Sequence, residues 1–433
     1  MQTWSPTSWL DHTYEQAANY PDAAHLSRII KQLSERPPLV TSGEIKHLKQ
    51  AIASAGRGEA FILQGGDCAE SFADCRSDII TNKLKILLQM SLVLMYGMRK
   101  PIIRIGRIAG QYAKPRSSDT ETIDGVTLPC YRGDLVNAPA FNAKSRMPDP
   151  ERLLEGYACS AMTLNFIRAL LDGGFADLHD PHQWDLRFIN HSKQADEYHA
   201  IVKSIAGLQN SSLNKGDFFT SHEALHLHYE QALTRQVPDG QWYDLSTHLP
   251  WVGMRTATHA SAHLEFLRGV QNPIGIKVGP CTTVEWLTEM LLLLNPQREE
   301  GRLLLISRMG ARHIETHLPP LINAVKATGI PVTWSCDPMH GNTESTVDGI
   351  KTRHFDTILL ELQRAVTIHR ENDSHLGGVH FELTGDNVTE CIGGARGLAA
   401  GDLKQAYQSL VDPRLNYEQS LEMAIQLSRQ FKG

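Results

Sequence analysis

PIGIKVGPCTTVEWLTEMLLLLNPQREEGRLLLISRMG, residues 273–310, holds one complete strand–helix–strand unit. PIGIKVG (273–279) and RLLLISRMG (302–310) are short, rich in Ile, Val and Leu, and bounded by Pro or Gly, as strands buried on both faces are. Between them TTVEWLTEMLLLLN (282–295) is apolar nearly all round with one polar face, which suits a helix covering a sheet. This order predicts parallel pairing through a right-handed crossover.

The alternation runs along the chain. AFILQ (60–64), PIIRIG (101–106), DFFTS (217–221), LPWVG (249–253), PVTWSCD (331–337) and GVHFEL (378–383) bring the candidate strands to eight. Helical patterns follow Asp149-Pro150, up to Gly173-Gly174, and cover 318–329, 356–370 and 416–431. Eight such units predict an α/β fold, a closed (β/α)8 TIM barrel, with a doubly wound open sheet as the alternative. Residues 1–55 read as an N-terminal helical arm and 56–433 as the barrel catalytic domain. A segment at about 185–216, rich in His, Asn, Ser and Lys, reads as a helical insertion.

Composition excludes several classes. The 433 residues carry 42 Lys+Arg against 48 Asp+Glu, a formal charge of −6, which argues against nucleic acid as a partner. No run approaches a membrane span, and the apolar segment 79–96, broken by Asn82, Lys83, Lys85 and Gln89, reads as a packed helix. The N-terminus has no basic region followed by an apolar core, as a secretory signal would. Seven scattered cysteines without a CxxC pair suit a reducing compartment, so a cytoplasmic location is expected.

In a barrel the chemistry gathers where the strands end. Residues at or just past the candidate strands include Cys68, Arg107, Glu223, Arg255, Lys277, Arg308, Asp337, His340 and Glu382. Six cations, Arg107, Lys114, Arg116, Arg255, Lys277 and Arg308, converge on one mouth of an acidic protein. They suit a small, multiply anionic substrate such as a sugar phosphate or a phosphorylated carboxylate. Cys68, His340 and Glu382, with Asp412 after the eighth unit, form a mixed S/N/O set for a divalent metal, whether manganese, iron, cobalt or zinc. Each cation alone could instead pair within the wall, and a lone buried Cys or His is more often inert. Dinucleotide, Walker A and hydrolase-elbow motifs are absent from the sequence. His226, His228, His259 and His263 read as solvated or core histidines.

LQGGDCAESF (63–72), RIAGQYAKPRS (107–117), CYRGDLVNA (130–138), SHEAL (221–225), NPIGIKVGP (272–280), SRMGARHIETHLPPLI (307–322), CDPMHGNT (336–343), KTRHFD (351–356), LTGDNVTECIGGA (383–395) and DPRLN (412–416) carry a resemblance. With these strings the chain resembles the type II (plant-like) 3-deoxy-D-arabino-heptulosonate 7-phosphate (DAHP) synthases, which open the shikimate pathway. The resemblance implies a metal-dependent barrel that condenses phosphoenolpyruvate with erythrose 4-phosphate. It implies Cys68, His340, Glu382 and Asp412 as metal ligands, manganese foremost, with cobalt, iron or zinc able to take the same set. It implies Arg107, Met254, Arg255, Lys277 and Arg308 around phosphoenolpyruvate, and Lys114, Pro115, Arg116 and Ser117 around erythrose 4-phosphate. Cys68, His340, Lys277 and Glu223 are the expected catalytic residues, with either Glu223 or a metal-associated water carrying protons.

One position departs from the pattern. The family reads Trp-x-Gly-Glu-Arg-Thr where this chain reads Trp251-Val252-Gly253-Met254-Arg255-Thr256. Met254 leaves room for an amino variant of the reaction, with an amino- or imino-sugar phosphate as acceptor. A non-catalytic regulatory paralogue is the reading from a different class, opposed by the presence of all four ligands and all six cations. A homodimer or homotetramer is expected from the resemblance alone.

Overall fold

The computed structural model describes residues 3–173, 195–206 and 217–431. Eight parallel strands close into one barrel: β1 (Phe61–Gly66), β2 (Ile102–Arg107), β3 (Phe218–Glu223), β4 (Leu249–Val252), β5 (Ile274–Val278), β6 (Leu303–Ser307), β7 (Thr333–Cys336) and β8 (Leu376–Glu382). Each pairs with its neighbours in the chain, and β8 pairs with β1, so all eight expected strands are present and the open sheet is excluded.

Alternate residues explain both ends of the barrel. On one face β1 presents Ile62, Gln64 and Gly66, β2 Ile103, Ile105 and Arg107, and β3 Phe219, Ser221 and Glu223. β8 presents Gly378, His380 and Glu382. Read from base to mouth, these series pass from mainly apolar to charged. At the base, Ile62, Ile103, Ile105, Phe219, Leu249, Leu304 and Ile306 form one cluster with Leu48, Ile52 and Ala55. Those three lie on the helix Ser42–Gly56, so the end of the expected arm seals the floor of the barrel. A reciprocal Thr41–Glu44 capping box starts that helix, and Thr333 Oγ1 donates to Ile52 O at 2.9 Å.

The outer helices bury their apolar faces against the strands. Ser77–Met98 is long and apolar enough to cross a membrane, yet most of it is buried, against the barrel and Tyr417–Gln430. The helix expected from 318 begins at Ile314, which places Pro319 and Pro320 inside it. Gly310 O accepts from Ile314 N there, so the first turn forms ahead of the proline pair. Ala23–Ser34 packs on Glu151–Asp172 and Leu227–Leu233, beside the barrel. Within the expected insertion, Ala195–Ala206 is helical, while 185–194 and 207–216 lie outside the described residues.

Candidate active site

Strand register sets the first contacts. Gly66 at the end of β1 lies opposite Arg107 on one side and Glu382 on the other. Its φ is +148°, and a Cβ there would strike Arg107 O, so glycine is what lets the two charged strand ends close together. Arg107 Nη2 sits 3.3 Å from Glu382 Oε1 and donates to Cys68 O at 3.0 Å. Arg107 and Lys277 both stack on the Trp251 ring, 5.6 and 5.2 Å from its centroid.

Cys68, Glu382 and Asp412 bring one ligand atom each within 4.8 Å of one another, the only such metal-capable group among the described residues. His340 joins them through Glu382, with Nε2 3.0 Å from Oε1. The other ring nitrogen, Nδ1, lies 2.7 Å from Asp337 Oδ2, which leaves Nε2 to face the cluster as a donor to a metal. Both Glu382 oxygens are buried without a hydrogen-bond partner, although Arg107, Arg353 and Lys114 surround them as ion pairs. The residues therefore fit a transition-metal cation: a buried thiol, an oriented imidazole and two carboxylates.

The electrostatics match that reading. Burial raises the Cys68 thiol, and Glu382 raises it further. Burial also opposes ionisation of Glu382 and Asp412, but His340 and Arg353 beside the first, and Lys114 beside the second, hold both well below the usual carboxylate range. Lys114 Nζ lies 2.6 Å from Cys68 Sγ and 2.9 Å from Asp412 Oδ2. Burial lowers Lys277 to about 8 despite its ion pair with Asp337. Burial raises Glu223 to about 7 against the pull of Lys114, Arg107, Lys277 and Arg255. Its Oε1 is buried and unpartnered, in space that a side chain at Gly253 would fill.

The loops are held by carboxylates aimed at backbone amides. Glu70 accepts from Ala109, Gly110 and Gln111 N at 2.9–3.1 Å, which fixes the loop after β2, including Ala109 at φ +63°. Glu361 accepts from Met309 and Gly310 N and from Asn342 Nδ2, tying the loop of Arg308 to that of His340. The salt bridge of Arg414 to Asp67 (2.6 Å), next to Cys68 at one end and two residues from Asp412 at the other, joins the Cys68 and Asp412 loops.

Not every expected residue faces the cluster. Arg308 donates to His340 O at 2.9 Å and so stands at the mouth, and Arg255 is exposed at the rim. Arg116 turns to Glu121 of the hairpin 120–129, 3.8 Å away, and Ser117 is exposed. Met254 lays its sulfur on the turn after β5, beside Gly279 and 3.9 Å from Thr282 Oγ1. Asp337, expected at a strand end, stands beside His340 and Lys277, and Trp251 and Arg353, to which the sequence assigned no role, lie against the same charges. His228 and His263 pack with Tyr14, and His226 packs with His228, as core histidines.

The description "Class-II DAHP synthetase family" fits residues 4–428. The chain belongs to that family. A phospho-2-dehydro-3-deoxyheptonate aldolase of Streptomyces coelicolor is 46% identical over 435 residues, covering 98% of this chain and 97% of that protein. One of Neurospora crassa is 44% identical, covering 99% and 94%. The enzyme AroG of the same description from Mycolicibacterium smegmatis is 44% identical, covering 93% and 89%. The class-II match makes the chain an enzyme, a 3-deoxy-7-phosphoheptulonate synthase of the shikimate pathway, and sets aside the non-catalytic reading.

Proposed function

We propose that the mouth of the barrel condenses phosphoenolpyruvate with erythrose 4-phosphate, in a metal-dependent reaction that yields DAHP and inorganic phosphate. One observation carries the reading: buried Cys68 and Glu382, with half-buried Asp412, adjoin a cation pair stacked on Trp251. Arg107 and Lys277, with Arg308 and Arg255 beyond them, hold the phosphate and carboxylate of phosphoenolpyruvate. Lys114 faces the acceptor side, with Pro115, Arg116 and Ser117 following it. Cys68, His340, Glu382 and Asp412 would hold a divalent cation, manganese foremost, which as a Lewis acid polarises the acceptor aldehyde.

The chain's own groups do the positioning. The cations fix the enol carbon within reach of the aldehyde carbon, so that a carbon–carbon bond forms between them. Water adds to the enolpyruvyl carbon, and the carbon–oxygen bond to phosphate then breaks. Glu223 Oε1, buried and ionising near neutrality, takes the proton from that water, which balances the proton gained by the alkoxide formed at the former aldehyde oxygen. Asp337 keeps the His340 proton on Nδ1 throughout. Seven free thiols suit a cytoplasmic setting.

Consumption of phosphoenolpyruvate by the full chain, with erythrose 4-phosphate and manganese, tests the reading. Loss of phosphoenolpyruvate matched one to one by phosphate, and abolished by chelator, is the expected result. Turnover that survives chelation, or demands a different acceptor, would overturn it.

A further inference from the structure

Residues 12–20 form a strap that crosses from the flank of the barrel to the acceptor loop. Both ends are pinned. Thr13 O accepts from Ala262 N at 2.9 Å, and Tyr14 Oη accepts from Leu227 N and donates to Leu225 O. Farther on, Tyr20 Oη lies 2.7 Å from His226 Nε2.

Between these anchors Gln16 adopts φ +61°, a left-handed conformation that is strained for a non-glycine residue. Its Oε1 accepts from Arg116 N at 2.7 Å and from Arg132 Nη1 at 3.4 Å. Lys114 N in turn donates to Arg132 O, so one side-chain oxygen reaches both segments of the acceptor loop. A small cavity lies there, lined by Tyr14, Gln16, Lys114, Arg132 and His226 among others.

We propose that Gln16 is a positioning residue for the acceptor, setting the Lys114–Ser117 loop from the N-terminal strap. The proposal rests on erythrose 4-phosphate being the acceptor bound by that loop. Gln16 touches no reacting atom. It fixes the Arg116 amide and the Arg132 guanidinium, and through them where the loop places its cations. Both contacts use Gln16 as an acceptor only, so a carboxylate can replace the amide.

Two readouts on the full-length, manganese-loaded protein test this. Hydrogen exchange at the Arg116 amide needs no substrate: Gln16→Ala should speed it at least tenfold, and Gln16→Glu should restore protection. In steady-state kinetics Gln16→Ala should raise KM for erythrose 4-phosphate about fivefold, as the loss of a hydrogen bond does. KM for phosphoenolpyruvate should stay within twofold, and Gln16→Glu should return the acceptor KM to near the wild-type value. Unchanged exchange, an equal rise in both KM values, or Glu as damaging as Ala would overturn the proposal. If wild-type protein shows no turnover with erythrose 4-phosphate, the substrate reading fails, and the exchange result still decides whether the strap holds the loop.

Discussion

The two ends of the barrel are built from the same strands and pull in opposite directions. At the floor, Ile62, Ile103, Phe219 and Leu304 meet Leu48, Ile52 and Ala55 in a cluster with little charge. Four residues farther along, β2 and β3 end in Arg107 and Glu223, and beside them β8 ends in Glu382, all three buried among opposite charges. Burying apolar side chains stabilises the fold, whereas burying charges costs desolvation that pairing only partly offsets. The floor is the part that holds the barrel together, and the mouth is the part proposed to bind and react.

Substitutions at the mouth should therefore hit activity hardest. Cys68→Ser should lower kcat/KM by about a thousandfold or more, since loss of a metal donor removes several kcal/mol of transition-state stabilisation. Its melting temperature without metal, read by calorimetry, should move little. The floor should answer in reverse. Ile52→Ala, at a fully buried site on the sealing helix, should destabilise by about 2–4 kcal/mol in urea unfolding. Its kcat at 25 °C should stay within about twofold. A catalytic collapse in Ile52→Ala, with stability kept, would erase the contrast.

Acid and base limbs sharpen it further. Burial pushes Glu223 up to about 7, so as the proposed base it is protonated and idle below that pH. Burial lowers Lys277 to about 8, so its proposed grip on an anionic substrate should weaken above that pH. A bell-shaped profile of kcat/KM between these limbs is expected. Glu223→Gln should lower the rate by about 10- to 100-fold and flatten the acid limb alone. The smallest effect belongs to Met254. Its sulfur packs on the turn at Gly279 and Thr282, so Met254→Glu should change KM for phosphoenolpyruvate by less than about threefold.

Much of this contrast was legible in the sequence. Strands buried on both faces are short apolar runs, and their charged last residues announce the mouth. Cys68, Arg107, Lys277, His340 and Glu382 all stand where their strand ends placed them. What escaped is what depends on partners in space. The helix Ser42–Gly56 read as part of an arm, because its apolar face does not say that the barrel floor covers it. The loop-holding roles of Glu70 and Glu361 were not legible, since an acceptor for backbone amides leaves no pattern in side-chain types. Arg116 read as facing the substrate, and the hairpin carrying Glu121 turns it aside.

Equilibrium dialysis against manganese tests the central division most directly, using wild type, Cys68→Ser and Ile52→Ala under native conditions. One ion per chain in wild type and Ile52→Ala, with loss of binding in Cys68→Ser, is the predicted result. Equal binding in all three would place the metal elsewhere and contradict the assignment of chemistry to the mouth.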